Sequence, residues 1–316
     1  MKKRLLAALA AGTIGIMALA GCSSNDDNGG SGDGGSGEGP SYDTTENGDR
    51  ADLAVNVFNG WPEGIATSYL WQTILADKGY DVSLEYSDAG IGFAALDKGD
   101  YDLNMDVWLP GTHAEYWDKF GDDLEQLGTW YEDAPLTIAV NADAPIDSLA
   151  ELADHADEFD NTLFGIEPGS GLNGVTQDSA IPTYGLEDME YIPSSTPAML
   201  AALKKGIEAG DNVVVTLWKP HWAYSAFPLK DLEDPEGAMG EPDGILSVGR
   251  AGFTEEYPQL AEWLKDFTFP DDKLASLEEV MFNPGEGDAP DEADYPELVE
   301  QWIADNQEWV DSLTAE

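Results

Sequence analysis

The chain is short of positive charge. Its 316 residues carry 14 Lys and Arg against 63 Asp and Glu, a formal net charge of -49. Phosphate binding needs clustered Lys and Arg, so a nucleic-acid partner is excluded, and attachment through a polybasic patch with it. Cys22 is the only cysteine, so no intrachain disulfide can form. The histidines are three, His113, His155 and His221. A zinc site would need several convergent His, Cys or carboxylate ligands, so no metal and no cofactor is expected. No GxxxxGKS/T loop occurs, so this chain does not hydrolyse ATP. No GxSxG elbow, HExxH pair or cysteine nucleophile occurs either, and acidic pairs are too numerous to single out two as catalytic. The chain is not expected to be an enzyme.

What is present builds a core. Hydrophobic residues make up 42% and aromatic residues 10%, so the chain is acidic without being disordered. The acidity reads either as a field that attracts cations or as a solvated surface suited to high salt, where a screening length of about 3 Å at 1 M suppresses self-repulsion. The scarcity of lysine fits the second.

Residues 1–21 differ from the rest. Met1–Arg4 is basic, and Leu5–Ala20 is apolar but, at about 16 residues, shorter than a membrane span of about 20. The segment ends in Leu19-Ala20-Gly21-Cys22, which resembles the lipobox of bacterial lipoproteins. That resemblance implies a signal peptide cut before Cys22, lipidation of Cys22, and a protein held on the outer face of the cell membrane. Without residues 1–21, 11 bases face 63 acids, a formal -52. Residues 22–50 are rich in Gly, Ser and acids and hold no aliphatic residue, so they read as a flexible tether.

From Ala51 onward, short β-type runs alternate with helical ones. Ala54–Phe58, Val82–Tyr86, Leu103–Trp108, Leu136–Val140, Leu163–Ile166, Met189–Ile192 and Val213–Leu217 read as strands. Ala66–Asp77 and Pro197–Ala209 have helical spacing, as do Tyr257–Phe267, Asp271–Phe282 and Pro296–Leu313. Such alternation predicts an α/β fold with largely parallel sheets in two lobes, followed by a helical tail. Ligands of open α/β sheets bind where loops leave the carboxyl ends of strands. Three of those loops carry tryptophan: Gly60-Trp61-Pro62-Glu63-Gly64, Trp108-Leu109-Pro110-Gly111-Thr112-His113 and Trp218-Lys219-Pro220-His221-Trp222. A fourth is the turn Glu167-Pro168-Gly169-Ser170-Gly171-Leu172. Trp71, Trp263, Trp302 and Trp309 lie on helical patterns and are expected in the core; His155 is expected in solvent and His221 in a structural role. A quaternary ammonium has no N–H, so hydrogen bonds cannot hold it, whereas the faces of Trp can. Backbone N–H groups at the Gly169–Leu172 turn suit a carboxylate or phosphate.

These motifs together resemble the glycine betaine/proline betaine substrate-binding proteins of ABC importers, over roughly Leu53 to Phe282. The resemblance implies a two-lobed periplasmic-binding-protein-like α/β fold with the ligand in the interlobe cleft. It places residues 51–138 plus 244–316 in lobe I and 139–243 in lobe II. It assigns Trp61, Trp108 and Trp218 to an ammonium cage, and His113 with the amides of Gly171 and Leu172 to the ligand carboxylate. It implies a monomer that delivers a betaine to an ABC permease with its cytoplasmic ATPase, for osmoprotection. Choline or carnitine is the alternative ligand, and choline would leave the carboxylate groups unused. From a different class, a secreted glycan-binding protein or glycosidase would also use Trp platforms and acidic pairs.

The acidic surface carries its own test. The urea midpoint should rise between low and molar salt; an unchanged midpoint would remove the reading of a surface matched to high salt.

Overall fold

Strand formation follows the apolar runs. The computed structural model describes residues 51–283, 285 and 289–315. The expected signal peptide 1–21, the lipidation site Cys22 and the tether 22–50 lie outside the described residues. Among the described residues the strands are β1 (Asp52–Phe58), β2 (Asp81–Ser87), β3 (Leu103–Leu109), β4 (Leu124–Ala134), β5 (Leu136–Asn141), β6 (Thr162–Phe164), β7 (Glu190–Ile192), β8 (Val214–Trp218), β9 (Leu229–Asp231) and β10 (Asp243–Arg250). They form two five-stranded sheets, ordered β2-β1-β3-β10-β4 and β7-β6-β8-β5-β9. β3 and β8 are buried along nearly their whole length, as central strands of sheets covered on both faces are.

The sheets are mixed where largely parallel sheets were expected. β1 pairs in parallel with β2 and β3, and β6 with β7 and β8. β10 runs antiparallel to β3 and β4, and β5 antiparallel to β8 and β9. The reason is the path of the chain. It leaves the first sheet after β4, enters the second as β5, and returns after β9 to insert β10 beside β3. The ladders put residues 136–138 in the second sheet and Asp243 in the first. The expected lobe bounds, 138 and 243, thus fall on the third residue of β5 and the first of β10.

Helices cover both sheets. The helix Pro62–Asp77 opens on a proline, whose missing N–H falls where a helix has no internal acceptor to use. It starts four residues before the expected Ala66, so Trp61 is its N-cap and Glu63 sits in its first turn. The helix Thr196–Ala209 is capped by Ser195, whose side chain accepts from the Ala198 N–H. The expected helix Pro296–Leu313 is two, Tyr295–Asp305 and Gln307–Ser312. At the break, the Asn306 side chain donates to the Trp302 carbonyl at 2.8 Å and accepts from Lys273 Nζ at 2.7 Å, competition that Asn offers a helix backbone. Trp71 and Trp302 are buried, whereas Trp263 and Trp309 are only partly so and pack on the core. Trp71 meets Phe267 edge-on at 5.3 Å, and Phe269 stacks on Trp309 at 5.3 Å, so the helical tail is bound to the first sheet's side. Burying each such side chain fully contributes about 1.5–3 kcal/mol.

The two halves meet across a shut cleft. Trp61 Nε1 donates to Glu167 Oε2 at 3.3 Å, the Tyr116 hydroxyl to the Gly169 carbonyl at 2.7 Å, and Ser225 Oγ to Glu279 Oε2 at 2.8 Å. Gly171 lies hard against the facing wall. A Cβ placed there would lie 2.0 Å from the Thr112 carbonyl oxygen, which is backbone and cannot swing aside. Gly171→Ala should therefore keep a wild-type melting temperature while binding ligand about tenfold or more weakly, read by calorimetry and thermal melts; undiminished affinity would show that the cleft need not close this far.

Candidate functional site

One cavity gathers all six residues expected at the ligand. Trp61, Trp108, Trp218, His113, Gly171 and Leu172 line it, together with Glu63, Thr112, Leu136, Ile166 and Ser170. The space its walls enclose is about 20 Å³, room for about one ordered water, so the walls stand close together. Trp108 and Trp218 close β3 and β8, and Trp61 precedes the first helix, so the two sheets contribute opposite walls. Each indole is nearly withdrawn from solvent.

Hydrogen bonds fix the walls. Trp108 Nε1 donates to Asp106 Oδ1 at 2.8 Å. Glu167 takes the Trp61 indole across the cleft and also accepts from the Thr196 N–H at 2.7 Å and Thr196 Oγ1 at 2.9 Å. The loop bearing His113 is held by Asp243, which accepts from the N–H groups of Gly111 at 2.6 Å and Thr112 at 2.7 Å.

His113 is fully buried, stacked on Trp61 with ring centroids 5.6 Å apart. Its Nδ1 accepts from the Trp108 N–H at 3.0 Å, so the ring proton sits on Nε2. Nε2 has no partner in the protein. A buried donor without a partner costs about 1–3 kcal/mol unless a ligand supplies the acceptor. Burial lowers the His113 pKa from 6.5 to about 3, so the ring is a neutral donor at working pH. At the Gly169–Leu172 turn, Ser170 Oγ accepts from the Asn173 N–H at 3.1 Å, and a helical run continues to Tyr184. His221 shares the pattern of His113 but not its place. Its Nδ1 accepts from the Ala223 N–H at 3.0 Å and its ring stands edge-on to Trp218 at 4.6 Å, behind the wall. His155 pairs with Glu158 at 2.7 Å at the surface.

With this geometry in place, the comparisons decide the family. Residues 53–305 match the OpuAC family, the substrate binding domain of ABC-type glycine betaine transport system. The chain belongs to this family. Over 176 residues it is 32% identical to the glycine betaine/carnitine transport binding protein GbuC of Listeria monocytogenes, a match covering 54% of this chain and 55% of that one. The chain thus spans about half the length of that curated relative. Lactococcal OpuAC, solved in a closed-liganded conformation with glycine betaine, is 27% identical with a TM-score of 0.75, covering 84% of this chain and 100% of that one. An ABC-transporter choline binding protein solved with choline is 25% identical with a TM-score of 0.74, covering 82% and 90%. These two structures and this chain share the two-lobed α/β architecture. No helix among the described residues is long and apolar enough to cross a membrane.

Sequence reasoning missed the acids behind the cage of this OpuAC-family protein. Four acids are buried among the described residues: Glu63, Asp106, Asp243 and Glu278. With 63 acids in the chain, none stood out until burial separated them. Burial pushes Glu63 up to about 8, and the Trp218 indole offsets this only in part. Asp106 is raised well above its ordinary value by burial and then by Glu63, and Glu278 likewise by burial and then by Glu63. The signal that was available is position: Glu63 stands two residues after Trp61 and Asp106 two before Trp108.

A pH dependence of stability follows. Glu63 has its folded pKa raised, so from about pH 4.5 to about 8 the folded chain holds a proton that the unfolded chain releases. Stability must then fall as pH rises, by up to about 1.4 kcal/mol per pH unit for one proton. The lowered histidines act below 6.5, where their contribution is lost as pH falls. Between pH 6.5 and 8, urea-derived stability should decrease, and Glu63→Gln should flatten that limb; a wild-type profile level across this window would contradict the buried protonated carboxyl.

Proposed function

We propose that the protein is the extracytoplasmic receptor of an ABC importer, taking up glycine betaine or a close quaternary-ammonium solute and handing it to a membrane permease with its cytoplasmic ATPase. One observation carries this reading: three indoles from two lobes converge on a single cavity that also holds an unpartnered neutral donor, His113 Nε2. Trp61, Trp108 and Trp218 would surround the ammonium, which offers no N–H to an acceptor. His113 and the amides of Gly171 and Leu172 would take the carboxylate. The division into lobes is part of the proposal, with residues 51–135 and the segment from Asp243 onward in lobe I and the intervening residues in lobe II. So are anchoring through a lipid on Cys22, the reach of the tether 22–50, the monomeric state, and the lack of enzymatic activity.

The energies are adequate. Three desolvated ammonium–indole contacts at about 1–2 kcal/mol each and three charge-assisted hydrogen bonds at about 1.5–3 kcal/mol each come to roughly 8–15 kcal/mol. Ordering the ligand and closing the lobes subtract from this. A micromolar constant needs about 8 kcal/mol, so affinity between micromolar and millimolar is expected. Choline is the second reading, supported by the 25% identical protein solved with it.

A calorimetric panel of glycine betaine, proline betaine, carnitine, choline, ectoine and proline at high salt separates these. Trp108→Ala should weaken betaine about tenfold or more without unfolding the chain, and wild-type affinity in it would remove Trp108 from the cage. His113→Ala should weaken betaine more than choline; equal losses would argue against a carboxylate role.

A further inference from the structure

The charges behind the cage do not balance. Glu63 lines the cavity, and Oε2 of its carboxyl has no partner. Asp106, from β3, packs so closely beneath the first helix that a Cβ on Gly64 would lie 2.3 Å from its Oδ2, which is also unpartnered. Glu278 faces Glu63 from the helix Asp271–Phe282, and its Oε1 too has no partner. The other titratable groups around them are His113 on the His113 loop, His221 after β8, and Tyr131 of β4, which faces Glu278. Both histidines are neutral, held near pKa 3 by burial. No Lys or Arg lines the cavity. Arg250, the buried-side guanidinium of this lobe, is taken by Asp102 and Glu256.

A buried carboxyl in such surroundings either keeps its proton or waits for a cation. No cationic side chain lines the cavity, so a cationic ligand would bring the missing charge. Resting on the reading of this cavity as a quaternary-ammonium site, we propose that Glu63 discriminates between ligand charge types: a bare ammonium cation expels the Glu63 proton on binding, whereas a zwitterion largely leaves it in place. The step is an acid dissociation. The O–H bond of the Glu63 carboxyl breaks, its electron pair stays on the carboxylate, and the proton goes to the solvent buffer. The bound cation then faces one carboxylate of opposite charge. A zwitterion brings its own carboxylate into the same cavity, so the net field at Glu63 changes little. The raised Glu63 pKa, about 8, places the exchange in an accessible range.

The experiment is calorimetry with choline and with glycine betaine, each in two buffers of different ionisation enthalpy, between pH 6.5 and 8.5 in molar salt. Surface charges are then screened and the buried group is not. At pH 7 choline should release close to one proton and betaine a small fraction of one. Below pH 8 choline affinity should rise by up to about tenfold per pH unit, with betaine nearly level. Glu63→Gln should release no proton with choline, at whatever affinity remains, which separates Glu63 from Asp106 and Glu278 as the source. Equal release by both ligands, no release by choline, no choline binding above pH 8, or unchanged release in Glu63→Gln would each overturn the proposal. The buffer dependence of the wild-type protein decides the matter even if the variant does not fold. Binding of both ligands without the difference would remove this inference alone; binding of neither would remove the reading of the cavity as well.

Discussion

Shutting two lobes over one small cavity strips water from every polar group at its edge, and each such group must then find a partner or lose its charge. Much of the site follows from that requirement. Asp243 answers the free amides of the His113 loop. Glu167 reaches across the cleft to the Trp61 indole and to Thr196. Asp106 takes the Trp108 indole. Acids thus act here as struts for aromatic walls, and two of the three cage indoles stand where a carboxylate holds them. Where partners run out, neutrality takes over. His113 and His221 stay unprotonated, and Glu63 retains its proton well above the ordinary carboxylate range.

The surface and the site therefore use charge in opposite ways. Most of the acids lie outside, in water, where molar salt reduces their reach to about 3 Å. The cavity walls hold no Lys or Arg, and their one acid, Glu63, is pushed toward its neutral form by burial. On the proposed reading the ligand is a zwitterion without net charge, so a long-range acidic field would hardly steer it. Recognition then happens at contact distance, in a place that salt does not reach. On the reading of a surface matched to high salt, one habitat would account for both an acidic exterior and a receptor of compatible solutes, though the two rest on separate physics.

Much of the fold was legible because it rests on local pattern. The apolar runs at Ala54–Phe58, Leu103–Trp108 and Val213–Leu217 mark central strands, since a strand covered on both faces needs no polar alternation. β4, β9 and β10 were not anticipated. β10 is bounded by glycine near both ends and lies between β3 and β4, strands far from it in sequence, so its pairing depends on the chain coming back from the other sheet. The helix break at Asn306 likewise depends on Lys273, more than thirty residues away. The tryptophan motifs that line the cavity were legible because tryptophan beside proline or glycine at a strand end is unusual. The acids were not, because burial and not identity distinguishes Glu63 and Asp106 from their exposed counterparts.

The amino-acid sequence by itself determined the fold class, the excess of acid and the residue types at the strand ends, because these depend on composition and short-range periodicity. Only the tertiary structure decided that Trp61, Trp108 and Trp218 face one cavity, that His113 carries its proton on Nε2, and that Glu63 is neutral there. Those outcomes depend on which distant segments exclude water from one another, and no local pattern encodes that.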